Sequence, residues 1–235
     1  MISPPRMITI IIPTLNSEES LAATMSALVP GAVDGIVRDV VVVDGGSRDQ
    51  TMAIVEASGA QIVNAARGRG SQLAAGVAEA RSDWYLFLHA DTVLERGWEQ
   101  EVRAYIERVG AGARPLSAAA FRFALDDIGF LPRLLEWMVG LRCLLFRLPY
   151  GDQGLLIPKQ LYQETGGYRA LPLMEDVDLV RRIGRRRIVM LRSQAVTSAV
   201  RFRRDGYVLR SARNLVCLAL YYLRIPPRYI VRIYG

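Results

Sequence analysis

Three apolar runs, residues 7–12, 40–43 and 84–88, each break off abruptly at polar side chains, and they constrain the fold more than any other feature. The first two are continuous and rich in β-branched residues, the pattern of strands covered on both faces rather than one. Between them, residues 17–29 carry Leu21, Met25 and Leu28 at helical spacing, with Asn16 or Ser17 placed to cap and Glu18 and Glu19 in the first turn. Pro13 is expected to stop the first strand. Ser47-x-x-Gln50 reads as a capping box opening a second helix, residues 60–63 as a weak third strand, and residues 69–80 as a third helix. Strand and helix therefore alternate with short connections, which predicts an α/β fold around a layered, mostly parallel sheet with ligands at the strands' carboxyl ends.

Those ends are chemically loaded. In Leu88-His89-Ala90-Asp91 the side chains of His89 and Asp91 stand two apart in extended chain, so they point the same way and can converge on one ligand. A hard divalent cation bridging to phosphate wants such an oxygen ligand there. The first strand leads to Thr14, Asn16 and Glu18, the second to Asp44, and the third to Arg67-Gly68-Arg69-Gly70. Asp44 can accept from a base N–H or a ribose hydroxyl, while Gly68 and Gly70 let backbone approach a phosphate beside two arginines. Each residue also has an ordinary structural explanation. Asp44 before two glycines suits an Asx turn, and Ser47 and Asp49 are expected to cap the following helix.

The chain of 235 residues is long enough for one α/β domain with elaborations. Its net charge of +7 is unevenly placed: residues 181–235 carry 14 arginines against a single acid, Asp205. Such a block can meet nucleic acid, an anionic membrane leaflet or a phosphate-bearing substrate. No nucleic-acid reader motif or aromatic platform accompanies it, so nucleic acid is not expected as a partner. No stretch reaches the roughly 18 apolar residues needed to span a bilayer. Residues 130–146 and 215–223 could lie at a membrane surface, with Arg142, Arg147, Arg224 and Arg228 reaching headgroups, or pack in the core. Cys143 and Cys217, far apart and without metal-ligand spacing, are expected to be buried free thiols. Residues 1–6 read as no targeting leader, so residence in the cytoplasm, if anything at its membrane face, is the expectation.

In the second half, Gly151-Asp152-Gln153-Gly154 precedes an apolar run, and Gly166-Gly167-Tyr168 leads into Met174-Glu175-Asp176-Val177-Asp178. Acids opening a helix suit its N-terminal dipole, and Asp178 reads as a cap or surface charge.

Ile12-Pro13-Thr14-Leu15-Asn16, Val42-Val43-Asp44-Gly45-Gly46-Ser47-Arg48-Asp49 and Leu88-His89-Ala90-Asp91 together resemble the three ordered motifs of glycosyltransferase family 2, over roughly residues 7–180. The resemblance implies a single GT-A domain, Rossmann-like, over residues 1–235. Residues 7–92 would bind the nucleotide-sugar, 117–180 would form the acceptor and catalytic half, and 181–235 a basic helical tail. It implies nucleotide contacts from Pro13, Thr14, Asn16, Glu18, Asp44, Arg67, Arg69, Gln72 and Ala90, and a divalent cation, Mn or Mg, on Asp91 helped by His89. Asp176 would be the base with Glu175 beside it, and Gly151, Asp152 and Gln153 would meet the acceptor. The implied reaction is inverting, metal-dependent transfer of one sugar from a nucleotide-sugar, expected to be UDP-linked, to a hydroxyl on a small metabolite or lipid. Three positions depart from the family pattern: Ser17 and Gly45 stand where acids are usual, and His89 replaces the first Asp of Asp-x-Asp. Residues 193–227 resemble a bacterial subgroup of small family 2 transferases, and the processive Gln-x-x-Arg-Trp signature is absent. Two rival readings are a nucleotide-binding module without turnover and a sugar-nucleotide pyrophosphorylase. The latter needs a glycine-rich basic loop after strand one, and Pro13-Thr14-Leu15-Asn16-Ser17 is neither.

Overall fold

The computed structural model describes residues 7–234, the side chains of Arg228 and Tyr234 excepted; the leader reading of residues 1–6 and the headgroup reading of Arg228 lie outside what is described. Strands β1 (Ile8–Thr14), β2 (Val37–Asp44), β3 (Gln61–Asn64) and β4 (Trp84–Phe87) alternate with helices α1 (Glu18–Val33), α2 (Thr51–Ser58) and α3 (Arg69–Glu79). The chain continues through β5 (Thr92–Leu94), α4 (Trp98–Gly110), β6 (Ala118–Leu125), α5 (Phe130–Phe146), β7 (Leu155–Pro158) and α6 (Lys159–Glu164). It closes with α7 (Glu175–Ile183), β8 (Ile188–Thr197), α8 (Val200–Asp205), α9 (Tyr207–Tyr222) and α10 (Pro227–Tyr234). All eight strands form one sheet, ordered β3-β2-β1-β4-β7-β6-β8-β5. The β3-β2-β1-β4 part is parallel, as the unbroken apolar runs require, and β7 joins β4 antiparallel.

The sheet is the middle of three layers, and strand alternation sorts its residues. Ile8, Ile10, Ile12, Val42 and Leu86 face one core with Leu21, Leu28, Trp98 and Val102 from α1 and α4. Ile11, Val41, Val43, Tyr85 and Phe87 face the other, with Leu73 of α3, Leu161 and Tyr162 of α6 and Val177 and Val180 of α7. Both cysteines are buried and unpaired.

Four local expectations are corrected. Pro13 does not end β1, which runs on to Thr14 with Pro13 opposite Val43. Ile11 O accepts from Leu88 N and Thr14 O from Gly45 N, so odd-numbered residues here turn toward β4, whose ladder stops at Ile11 and Phe87; Pro13 lacks an N–H where no partner waits. Neither Asn16 nor Ser17 caps α1 with its own side chain, and Ser47 does not cap α2. The two loops clasp each other instead: the N–H groups of Asn16, Ser17 and Glu18 donate to Ser47 Oγ (2.9 Å), Thr51 Oγ1 (2.7 Å) and Asp49 Oδ2 (3.1 Å). In return, Arg48 N and Gln50 N donate to Asn16 Oδ1 (2.9 Å) and Glu18 Oε2 (2.8 Å). Asp178 is no surface charge, for it is buried and paired with Arg182 at 2.7 Å while Tyr221 donates to it from α9. The basic tail is not all helical, because 188–197 is a strand between β6 and β5.

Candidate active site

At the carboxyl ends of β1 and β4 and the start of α3 opens a cavity of about 740 Å³, lined by Pro13, Thr14, Asn16, Glu18, Arg67, Arg69, Gln72, His89, Ala90 and Asp91 among others. All but one of the residues expected to touch a nucleotide meet there. The exception is Asp44. Its carboxylate lies behind the wall, 4% exposed, with Oδ2 accepting from Gly46 N and Ser47 N and Oδ1 accepting from Ser47 Oγ. It holds the loop that clasps Asn16 and Glu18, which matches the Asx-turn alternative. Gln72 is also turned to structural use, donating to Thr14 O (2.9 Å) and Val43 O (2.8 Å) and so tying two strand tips together. Gly70 serves a close approach of protein backbone, since a Cβ there would meet Arg169 O at 2.1 Å; the phosphate reading of Gly70 gives way to packing of α3 on the loop before α7.

A second, smaller cavity of about 110 Å³ adjoins the first and shares Arg69, His89, Asp91, Ser198 and Arg201 with it. Its far wall is Tyr150, Asp152, Glu175, Asp176, Arg210 and Asn214. Asp91 and Asp176 thus face one space. Asp176 opens α7 with its carboxylate fixed from two sides, Oδ2 accepting from Gly151 N at 2.7 Å and Oδ1 from Val177 N at 2.7 Å. A Cβ on Gly151 would lie 2.6 Å from His89 Nε2 and 3.3 Å from Asp176 Oδ2, so only glycine lets the strand tip, the turn and the helix start converge.

Burial, reinforced by the positive charge of Arg69 and opposed by Asp176, pulls the His89 imidazole down to about 3, leaving it neutral with a lone pair to offer. Glu175 is buried beside Asp176, and desolvation and that neighbour's charge push it up to about 7. Burial also raises Asp152, opposed by Arg142 and helped by Asp176 and Asp91, to about 6. Its Oδ1 has no hydrogen-bond partner. Gln153, expected to meet an acceptor, is 1% exposed and fully engaged: it donates to Phe121 O and accepts from Arg142, Cys143 and Tyr150 N, so it builds the turn instead.

Several lining residues were not anticipated: Tyr150, Ser198, Arg201, Arg210 and Asn214. β8 brings the tail here. It pairs with β5 so that Thr92 lies opposite Thr197, Ser198 N donates to Asp91 O (3.1 Å), and Thr197 Oγ1 donates to Asp152 O (3.1 Å). Among the tail's 14 arginines, nothing in the sequence distinguishes Arg201 from those that face solvent.

Residues 9–117 match the Glycosyl transferase family 2 model. Over this stretch, just under half of the chain, the protein is similar to glycosyl transferase family 2. It is 29% identical over 97 residues to glucosyl-3-phosphoglycerate synthase of Mycolicibacterium paratuberculosis, covering 37% of this chain and 29% of that protein's length. An uncharacterized glycosyltransferase of Mycobacterium bovis is 35% identical over 91 residues, covering 38% of this chain and 39% of the relative. The curated matches therefore span less than half the length of these relatives. The solved glucosyl-3-phosphoglycerate synthase of Mycobacterium tuberculosis, in complex with Mn2+, UDP and glucosyl-3-phosphoglycerate, superposes with a TM-score of 0.64 at 21% identity, covering 94% of this chain and 81% of that one. The same enzyme has been solved with Mn2+ and UDP-glucose (TM-score 0.63, 20% identity, 94% of this chain and 80% of that one). S. aureus TarS 1-349 gives 0.62 at 15% identity, covering 97% and 69%. The chain has the GT-A fold.

Proposed function

We propose that the protein transfers a single sugar, with inversion, from a UDP-linked donor to a hydroxyl acceptor. The observation that carries this is the shared space: Asp91 and Asp176 line one cavity where it adjoins the larger one at the strand tips. The larger cavity takes the nucleotide diphosphate, with Arg67 and Arg69 beside it for the phosphates. Binding of UDP and UDP-glucose by the relative of the same fold supports that occupant.

The donor set fits a hard divalent cation. Asp91 would supply a carboxylate and His89 a neutral imidazole, both lining the two cavities where they adjoin. Mn or Mg held there would neutralise charge gathering on the leaving diphosphate.

The protein's own residues do the rest. Asp176, anchored by two backbone N–H groups, takes the proton from the acceptor hydroxyl as that oxygen attacks the anomeric carbon from the side opposite the diphosphate. One displacement inverts the centre, and no sugar-enzyme bond forms. Glu175 holds its proton up to about pH 7, which limits the negative charge crowded around the base. The acceptor sits against Asp152, Tyr150 and the α8–α9 residues of the smaller cavity, on a small metabolite or a lipid.

Calorimetric titration with UDP, with and without Mn2+, tests the donor half. Wild-type protein is expected to bind UDP at least about tenfold tighter with the metal. Asp91→Ala should lose that gain. Metal-independent binding of equal strength in both proteins would overturn the assignment, and binding without donor turnover in a sugar screen would favour the non-catalytic reading.

A further inference from the structure

The active site leaves one large feature unexplained: two helices present apolar stripes that nothing in the described chain covers. On α5 the exposed side chains include Phe130, Leu134, Trp137, Leu141 and Leu144, which recur at the three- and four-residue spacing of a single helix face. The opposite face holds the helix down through buried Pro132, Val139 and Cys143. α9 repeats the arrangement, with Val208, Leu215, Val216, Tyr222 and Leu223 exposed while Arg210 and Cys217 are buried. The two helices touch each other. Scattered exposed leucines need no explanation, but two helices in contact, each carrying an exposed apolar stripe, are of the kind that marks an interaction surface.

Charge selects the occupant. Arginines surround the patch: Arg147 directly follows α5, Arg185 donates to the Leu145 carbonyl near that helix's end, and Arg224 follows Leu223 after α9. They belong to the tail's excess of 14 arginines over one acid, or adjoin it. A second copy docked on this face would bring two such basic blocks together, at a repulsive cost. An anionic bilayer offers both complements at once, acyl chains for the stripes and phosphate headgroups for the guanidinium groups. No helix among the described residues is long and apolar enough to cross a membrane, so the contact would lie in the interface plane.

We propose that α5 and α9 form a docking surface for an anionic lipid leaflet. The inner faces of the same two helices reach the active site. Arg142, on α5, stacks over the Tyr150 ring at 3.5 Å from its centroid and donates to Gln153 Oε1, while Arg210 and Asn214 of α9 line the smaller cavity. A protein seated on the leaflet through these helices holds that cavity beside the lipid headgroups.

Trp137 supplies the probe, because it is 64% exposed whereas Trp84 and Trp98 are 8% and 0% exposed. The full chain is mixed with vesicles of phosphatidylcholine alone or of phosphatidylcholine with phosphatidylglycerol, and tryptophan emission and co-sedimentation are followed. A blue shift and pelleting with the anionic vesicles are expected, at least about tenfold stronger than with neutral ones and weakened by salt. Leu141→Glu with Leu144→Glu should lower vesicle affinity by about tenfold or more while far-UV circular dichroism and UDP binding stay as in wild type. Should that double variant fail to fold, Arg147→Glu with Arg224→Glu tests the charge half by the same readouts. Absence of a shift and of pelleting, equal binding to neutral vesicles, or a dimer in solution that buries Trp137 would each overturn the proposal. The readouts do not involve sugar transfer, so they fail or succeed independently of the donor chemistry.

Discussion

At the residue scale, the site is built from side chains whose backbone setting decides what they are free to do. His89, Asp91 and Asp176, expected to work together, each sit where extended chain ends or a helix begins and line one cavity, which supports the proposed site by position alone. Asp44 and Gln153 carry equally suggestive chemistry, but neighbouring donors consume their acceptors; for Asp44 the two following glycines already offered the Asx turn, whereas no spacing reveals the consumption of Gln153. Glu175 gives a pH prediction with a definite sign. Its native carboxyl holds a proton up to about 7 whereas the unfolded group releases it near 4.5, so between those values the native state binds more protons and stability falls as pH rises. Thermal midpoints measured across that window should fall more steeply for wild type than for Glu175→Gln. Parallel pH curves for the two proteins would remove the buried, protonated Glu175 from the account.

At the element scale, the apolar runs and helical spacings of the first half were enough to place β1 to β4 and α1 to α3, because β1, β2 and β4 are buried under helices on both faces, β3 is the half-exposed edge, and each helix shows one apolar side. What escaped was cooperation between loops. The starts of α1 and α2 are satisfied by each other's side chains, an arrangement made by β1 and β2 lying side by side and invisible along either segment alone. Thr51 is the test, being fully buried with Oγ1 accepting from Ser17 N at 2.7 Å. Thr51→Val keeps the shape and strands that N–H, at a cost of about 1–3 kcal/mol. Each kcal/mol lowers the midpoint of a chain this size by about 2–4 °C. Differential scanning calorimetry reads the loss, and an unchanged midpoint would show that the clasp contributes nothing to stability.

At the scale of the whole molecule, the parallel half was legible and the closure of the site was not. Residues 188–197 carry so many arginines on either side that they read as part of a basic tail, yet they form the strand that connects β6 to β5 and delivers Ser198 and Arg201 to Asp91. Long-range pairing of that kind depends on sequence separation that no local pattern encodes. It is also what joins the two halves around one space, where the proposed donor site at the strand tips meets the proposed base at the start of α7. The most direct measurement of that claim compares wild type with Asp176→Asn for UDP binding in the presence of Mn2+ and for sugar transfer under the same conditions. The account expects UDP affinity to be retained within about twofold while turnover falls by about 10²–10⁴-fold. Near-normal turnover by Asp176→Asn would contradict it.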